Sequence, residues 1–186
     1  MSLQFYQTLA YKVCFKQKVL IMKFISYKHN SEPKFGIIDN NLITDLTGKI
    51  SGADTLKDLI FKNGISEAKT YASANLGNLS VDDIEYLPLI PNPGKIICVG
   101  LNYSEHVKET NRTVEENPVI FHRFPESQTA HMQPIQRPIA SDNLDFEGEM
   151  AVIMGEAGKH IKPEDALKHI VGYSCYNEST IRDWQR

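Results

Sequence analysis

Apolar and polar positions alternate along the early part of the chain, change to a helical spacing, and then return to strand-like runs. Met22-Lys23-Phe24-Ile25-Ser26-Tyr27 reads as an opening strand. Phe35-Gly36-Ile37-Ile38-Asp39 and Leu42-Ile43-Thr44-Asp45-Leu46 follow as short strands joined at Asn40-Asn41, a pair that tolerates the positive φ of a tight hairpin. From Asp54, a candidate helix cap, Leu56, Leu59 and Ile60 recur on one helical side. Gly64 interrupts that run, and Ser66 with Glu67 opens a second short helix through about Leu76. Ile84 to Ile90 is extended, and Pro88, Pro91 and Pro93 mark a linker.

Beyond the linker the pattern is mostly strand. Lys95-Ile96-Ile97-Cys98-Val99-Gly100 is an unbroken apolar run, as expected of a strand buried on both faces. Pro118 to Phe124 predicts another strand, and Pro125 to Asn143 a long irregular loop of the kind that often serves as a lid. Asp145-Phe146-Glu147-Gly148-Glu149-Met150 runs into Ala151-Val152-Ile153-Met154 as one extended strand, and Gly155 with Gly158 turns the chain. Pro163 to Ile170 has proline in its first turn, early acids and late bases, which predicts a helix. Val171 to Tyr176 is again strand-like and delivers Asn177 to Arg186. The fold class expected is α+β and β-rich. The expected organisation is an extension over 1–21, a small α+β domain over 22–92 and a second domain over 93–186.

Composition narrows the function classes. A hydrophobic content of 41% and a charged fraction of 23% are those of a globular protein. Net charge is −3 with both signs mixed, and no basic patch carries interleaved aromatics, so nucleic acid is not an expected partner. Cys14, Cys98 and Cys175 are far apart and odd in number, which argues against a thiolate zinc site or a disulfide framework and fits a reducing cytoplasm. Met1 to Ile21 has no acidic residue, and Lys12, Lys16 and Lys18 interrupt it. It has no apolar stretch long enough for a signal core or a membrane span, and without arginine it fits a mitochondrial presequence poorly. Met22 is the start expected from the pattern, with the preceding residues an upstream extension.

The candidate chemistry is carboxylate-based. Residues two apart on a strand share a face, so Glu147 and Glu149 project side by side. Like charges that close raise each other's pKa unless a cation separates them, and hard cations such as Mg²⁺, Mn²⁺ or Ca²⁺ prefer carboxylate oxygens. A solvated edge strand with two surface glutamates is the competing reading. His106 and Glu109 are three apart, a spacing at which a carboxylate orients an imidazole; a surface ion pair is the alternative. His122, His131, His160 and His169 show no metal-ligand spacing, and Gly100 lacks the further glycines of a dinucleotide-binding turn.

The order of these pieces resembles the fumarylacetoacetate hydrolase family. The resemblance rests on Lys95 to His106, Phe146-Glu147-Gly148-Glu149, Gly172-Tyr173, and Thr180-Ile181-Arg182-Asp183-Trp184-Gln185, and it runs from about Met22 to the end. It implies a rolled mixed β-sandwich as catalytic domain, usually dimeric, with Mg²⁺ or Mn²⁺ held by three carboxylates. On that resemblance Glu147, Glu149 and Glu178 are the metal ligands, with Glu178 standing where aspartate is typical. His106 and Glu109 are the catalytic dyad, and Arg182, Gln185 and Arg123 contact the carboxylate of a small oxo-acid substrate. Family members continue beyond the position of Arg186, so the resemblance also implies a member shortened at its C-terminus.

The activity it implies is hydrolysis of a C–C bond in a 2,4-dioxo acid of the acylpyruvate or fumarylacetoacetate type. Decarboxylation, isomerisation or hydration of related dioic acids in aromatic catabolism is the alternative. A non-catalytic remnant and a module that binds oxo acids without turnover are the two readings from other classes.

Overall fold

The computed structural model describes residues 22–103 and 117–185. The N-terminal part is a five-stranded antiparallel sheet. Its strands are β1 (Lys23–His29), β2 (Glu32–Asp39), β3 (Leu42–Asp45), β4 (Leu79–Ser80) and β5 (Glu85–Tyr86), in the order β4-β3-β2-β1-β5. Both hairpins close on two-residue left-handed turns. Asn40 and Asn41, at φ 45° and 66°, join β2 to β3 as the sequence predicts, and Asn30 with Ser31, at 52° and 65°, joins β1 to β2. Gly36 is obligatory in β2, because a Cβ there would meet the Thr44 carbonyl and the Ile43 side chain.

Period-two alternation gives this sheet two covered faces. Phe35 and Ile37 pack with Leu46, Ile50, Ala53, Leu56, Leu59 and Ala68, beneath the helices α1 (Leu56–Phe61) and α2 (Ile65–Ala74). Ile25, Tyr27 and Ile43 form the opposite cluster with Leu79, Val81 and Ile84. The cap of α1 differs from expectation. Thr55, not Asp54, is the N-cap, and it exchanges bonds with Asp58 in a capping box, which satisfies two orphan donors where Asp54 would satisfy one. Gly64 does end the first helical run, and it caps α2.

Past the linker the strands pair in twos. β6 (Ile96–Gly100) pairs with β7 (Val119–Arg123), β8 (Leu144–Asp145) with β11 (Thr180–Ile181), and β9 (Gly148–Met154) with β10 (Ile170–Asn177). All pairings among the described residues are antiparallel. The expectation that residues 95–100 are buried on both faces does not hold. With a single partner strand, β6 turns Ile96 and Cys98 inward and leaves Ile97 60% exposed. The turn after β9 needs Gly155, where a Cβ would meet the Val171 Cβ at 2.6 Å. Pro163–His169 is helical as expected, in the tighter 3₁₀ form.

The irregular stretch 125–143 is fastened at both ends. Near the N-terminal sheet, Gln133 donates to Glu85 at 3.2 Å and His131 meets Tyr86 edge-on at 4.9 Å. Near the acidic strand, Ser141 donates to Asp183 at 2.7 Å and Arg182 N–H donates to the Asn143 carbonyl at 3.0 Å.

Candidate active site

The acidic strand is broken where the sequence predicts continuity. Asp145 ends β8, which pairs with β11, and Gly148 opens β9, which pairs with β10; Phe146 and Glu147 lie between. The strand opposite breaks at the same level, at Glu178 and Ser179, between β10 and β11. Two bonds bridge the break. The Glu178 N–H donates to the Glu147 carbonyl at 2.8 Å, and the Asn177 side chain accepts from the Glu147 N–H at 3.0 Å. Glu147 and Glu178 are therefore fixed side by side by their backbones, while Glu149 lies two positions on in β9, opposite Tyr176.

These acids line a cleft of about 2050 Å³ together with Cys98, Arg123 and Arg182. Glu178 is the one buried carboxylate among the described residues. Its Oε1 and the Oε1 of Glu147 are enclosed and have no hydrogen-bond partner. Each has a guanidinium beside it instead. Arg182 Nη1 stands 3.0 Å from Glu147 Oε1, and Arg123 Nη2 forms an ion pair with Glu178 Oε1; neither approach has hydrogen-bond alignment. A buried carboxylate needs a compensating positive charge, and here the two guanidiniums supply it.

Arg182 also grips Asp145 through Nε and Nη2, at 2.9 and 2.8 Å, and donates to Gln185 at 2.9 Å. The bond from Arg182 holds the Asp145 carboxyl below the usual range, and Ser141 does the same for Asp183. Arg123 is anchored by Nη2 to the Ser179 carbonyl at 2.7 Å and to Thr180 Oγ1 at 3.3 Å. Burial pushes the Cys98 thiol up, with Arg123 opposing and Glu149 and Glu147 adding to the shift, so it remains a neutral thiol at pH 7. Tyr103 is raised by desolvation and by its hydrogen bond to Glu149.

Of the residues expected from sequence, Glu147, Glu149, Glu178, Arg123, Arg182 and Gln185 line one cleft. His106 and Glu109 lie outside the described residues. Three participants were missed: Asp145, Asn177 and Tyr103. Asp145 had a signal, since it precedes Glu147 by the same interval that separates Glu147 from Glu149. Asn177 and Tyr103 had none, because their roles depend on register across strands.

Among the described residues, no three His, Cys, Asp or Glu side chains converge closely enough to hold a metal ion. The expected set is divided by the strand break and by the two arginines on Glu147 and Glu178. The donor chemistry nevertheless suits a hard divalent cation: all-oxygen, anionic, with two enclosed oxygens unsatisfied on adjacent residues. No helix among the described residues is long and apolar enough to cross a membrane.

Known proteins resemble this chain in sequence and in fold. "Oxaloacetate tautomerase fahd2, mitochondrial" of Xenopus laevis is 40% identical over 124 residues, 67% of this chain and 39% of its own length. This chain thus spans about two-fifths of the curated relatives it matches. A fumarylacetoacetate hydrolase of Exiguobacterium antarcticum has a TM-score of 0.73 at 30% identity, over 89% of this chain and 58% of that one. The fold is also that of a maleylpyruvate hydrolase from Sphingobium sp. SYK-6 in complex with manganese(II) and pyruvate, with a TM-score of 0.70 at 20% identity over 87% and 60% of the two chains. Residues 95–186 match the fumarylacetoacetate hydrolase C-terminal domain, and the chain belongs to the fumarylacetoacetate hydrolase family.

Proposed function

We propose that residues 93–186 carry a divalent-metal site for a small 2-oxo acid and promote its enolisation, with residues 22–92 a separate small domain. The observation that carries this reading is the pair of enclosed, unsatisfied oxygens on Glu147 and Glu178, held adjacent by one backbone bond. Glu147 and Glu178 would hold the cation, Mg²⁺ or Mn²⁺, and Glu149, which does not converge with them in this structure, would have to turn toward them from β9 to complete the set. When bound, the cation supplies Lewis-acid stabilisation of the charge that builds on a carbonyl oxygen as a proton leaves the adjacent carbon.

The chain's own groups do the rest. Arg182, held by Asp145 and Gln185, would supply positive charge to the substrate carboxylate, which would displace one of these partners to reach the guanidinium. On the family resemblance His106, with Glu109 as its partner, would take the proton from the carbon next to the carbonyl while the carbonyl oxygen gains one to give the enol, and the reverse steps restore the keto form. Cys98, kept neutral by burial, takes no part as nucleophile. Tautomerisation of a diacid such as oxaloacetate needs only these steps, and the tautomerases among the relatives favour it over cleavage. Hydrolysis of an acylpyruvate is the second reading, favoured by the Exiguobacterium relative; it requires His106 to activate a water as well.

The test is the keto–enol exchange of oxaloacetate, followed by enol absorbance with Mn²⁺ present. The wild-type chain accelerates it and Glu147→Ala does not. Equal rates for the two would remove the reading. Loss of an acylpyruvate chromophore under the same conditions would instead favour hydrolysis. The cytoplasm expected from the cysteines and the mitochondrion in the relatives' names are both reducing enough for free Cys98 and Cys175, and fractionation separates them.

A further inference from the structure

The ribbon that leads into Arg182 is too short to fix its own register. β8 and β11 share two residue pairs, Leu144 with Ile181 and Asp145 with Thr180. A two-stranded ribbon of that length is marginal, and a slip of one residue turns every side chain to the opposite face. Asp145 would then leave the face on which it accepts from Arg182 Nε at 2.9 Å. At its inner end the ribbon is tied by the bond from the Glu178 N–H to the Glu147 carbonyl. At its outer end the ties come from the loop before β8. The Arg182 N–H donates to the Asn143 carbonyl at 3.0 Å, and Ser141 Oγ donates to Asp183 Oδ1 at 2.7 Å.

Ser141 is built into this position. It is 5% exposed, and each of its polar groups has a partner. Its N–H donates to the Pro138 carbonyl at 3.4 Å, its carbonyl accepts from Arg137, and its hydroxyl accepts from the Asn143 N–H at 3.0 Å. The hydroxyl is the group that crosses to the strand of Arg182. Its acceptor there is a carboxylate, which makes the bond stronger than one between neutral groups.

We propose that Ser141 and Asp183 lock the register of β8 against β11 and are thereby positioning residues for Arg182. Their bond fixes the face of the ribbon that Asp145 and Arg182 share, and so the direction in which the guanidinium points when a carboxylate arrives. The consequence for substrate rests on the reading of Arg182 as the group that meets the substrate carboxylate. An arginine already held in one orientation loses less freedom on binding than one that must first be ordered. The lock therefore acts on affinity for the acid rather than on the proton transfer. The loop that carries Ser141 is also fastened at its far end, where Gln133 donates to Glu85 and His131 meets Tyr86, and those contacts provide an internal control.

The experiment is NMR of the full chain in chelator, reading how fast the guanidinium Nε–H of Arg182 exchanges with water, its signal assigned by loss in Arg182→Lys. In wild type the bond to Asp145 protects that proton. Ser141→Ala should speed the exchange about tenfold, the order expected when a hydrogen bond to a charged group is lost. Asp183→Asn, whose amide oxygen still accepts from the hydroxyl, should keep the wild-type rate, and Asp183→Ala should match Ser141→Ala. The double variant Ser141→Ala/Asp183→Ala should be no faster than either single one, because they share one bond. Gln133→Ala, which frees the same loop at its other end, should leave the rate unchanged. A wild-type rate in Ser141→Ala overturns the proposal. So does an equal rise in Gln133→Ala, which would show a general loosening of the loop. Should Ser141→Ala fail to fold, Asp183→Ala, at an exposed position, decides in the same way. Oxaloacetate turnover with Mn²⁺ supplies the second readout. Ser141→Ala should raise KM about tenfold and hold kcat within about twofold, the mark of lost uniform binding. Faster exchange with an unchanged KM overturns the substrate role. A wild type without turnover would remove the oxo-acid reading, and the exchange rates would still decide the lock.

Discussion

The N-terminal sheet and the C-terminal ribbons are built from similar strands but enclose opposite kinds of residue. In the sheet, Tyr27, Phe35, Ile43, Leu46 and Leu59 are fully buried, and charged positions point outward. In the ribbons β9 and β10, Met150, Val152, Met154 and Tyr173 are exposed, while Glu149 lies on the more enclosed side and Glu178 is buried. One half is organised around apolar burial. The other is organised around carboxylates and the arginines that neutralise them. Apolar burial therefore concentrates in the first and the candidate site in the second, as expected where functional regions sit at the less stable end of a fold.

The largest expected effect that would break this contrast comes from a pair of truncations, one in the core of the sheet and one on the ribbon face. Phe35→Ala removes a side chain 1% exposed and should cost roughly 3–5 kcal/mol. Met150→Ala, at a position 62% exposed, should stay within about 0.5 kcal/mol. Denaturant unfolding of both variants measures the difference. A comparable loss for Met150→Ala would mean that the ribbon face is packed rather than open.

A smaller effect concerns pH. The bond from Arg182 lowers the Asp145 carboxyl, and the bond from Ser141 lowers that of Asp183. A folded value below the unfolded one means that each contribution is complete above the ordinary Asp value, about 4, and is lost as pH falls through the depressed folded value. Acidification from pH 5 to 2 should loosen the β8–β11 pairing before the N-terminal sheet, as read by residue-resolved amide exchange. Replacing Asp145 by Asn should abolish part of that pH response. An N-terminal sheet that loosens first would reverse the comparison.

The sheet was legible in the sequence because its signals are local: alternation sets the strand faces, and Asn40-Asn41 sets the turn. Thr55 was missed as the cap because Asp54 offers the same chemistry one residue earlier, and only the bond to Asp58 decides between them. In the C-terminal part the elements were legible but their environment was not. An apolar run such as Ile96 to Gly100 looks the same whether it has neighbours on both faces or one partner strand. The candidate site residues were legible through resemblance more than spacing. Glu147 and Glu149 were expected on one strand, yet the switch of pairing from β11 to β10 separates them, and that switch depends on residues some thirty positions away. The role of Asn177 in bracing Glu147 is non-local in the same sense.

The most direct test of the central claim, that Glu147 and Glu178 form a cation platform at the strand break, is Mn²⁺ binding by the wild-type chain and by Glu178→Gln, which keeps the side chain's size and removes its charge. The account predicts binding by the wild type, and a loss in Glu178→Gln beyond the ~10–100-fold that removal of an outer partner costs. Equal Mn²⁺ affinity in the two proteins would contradict it.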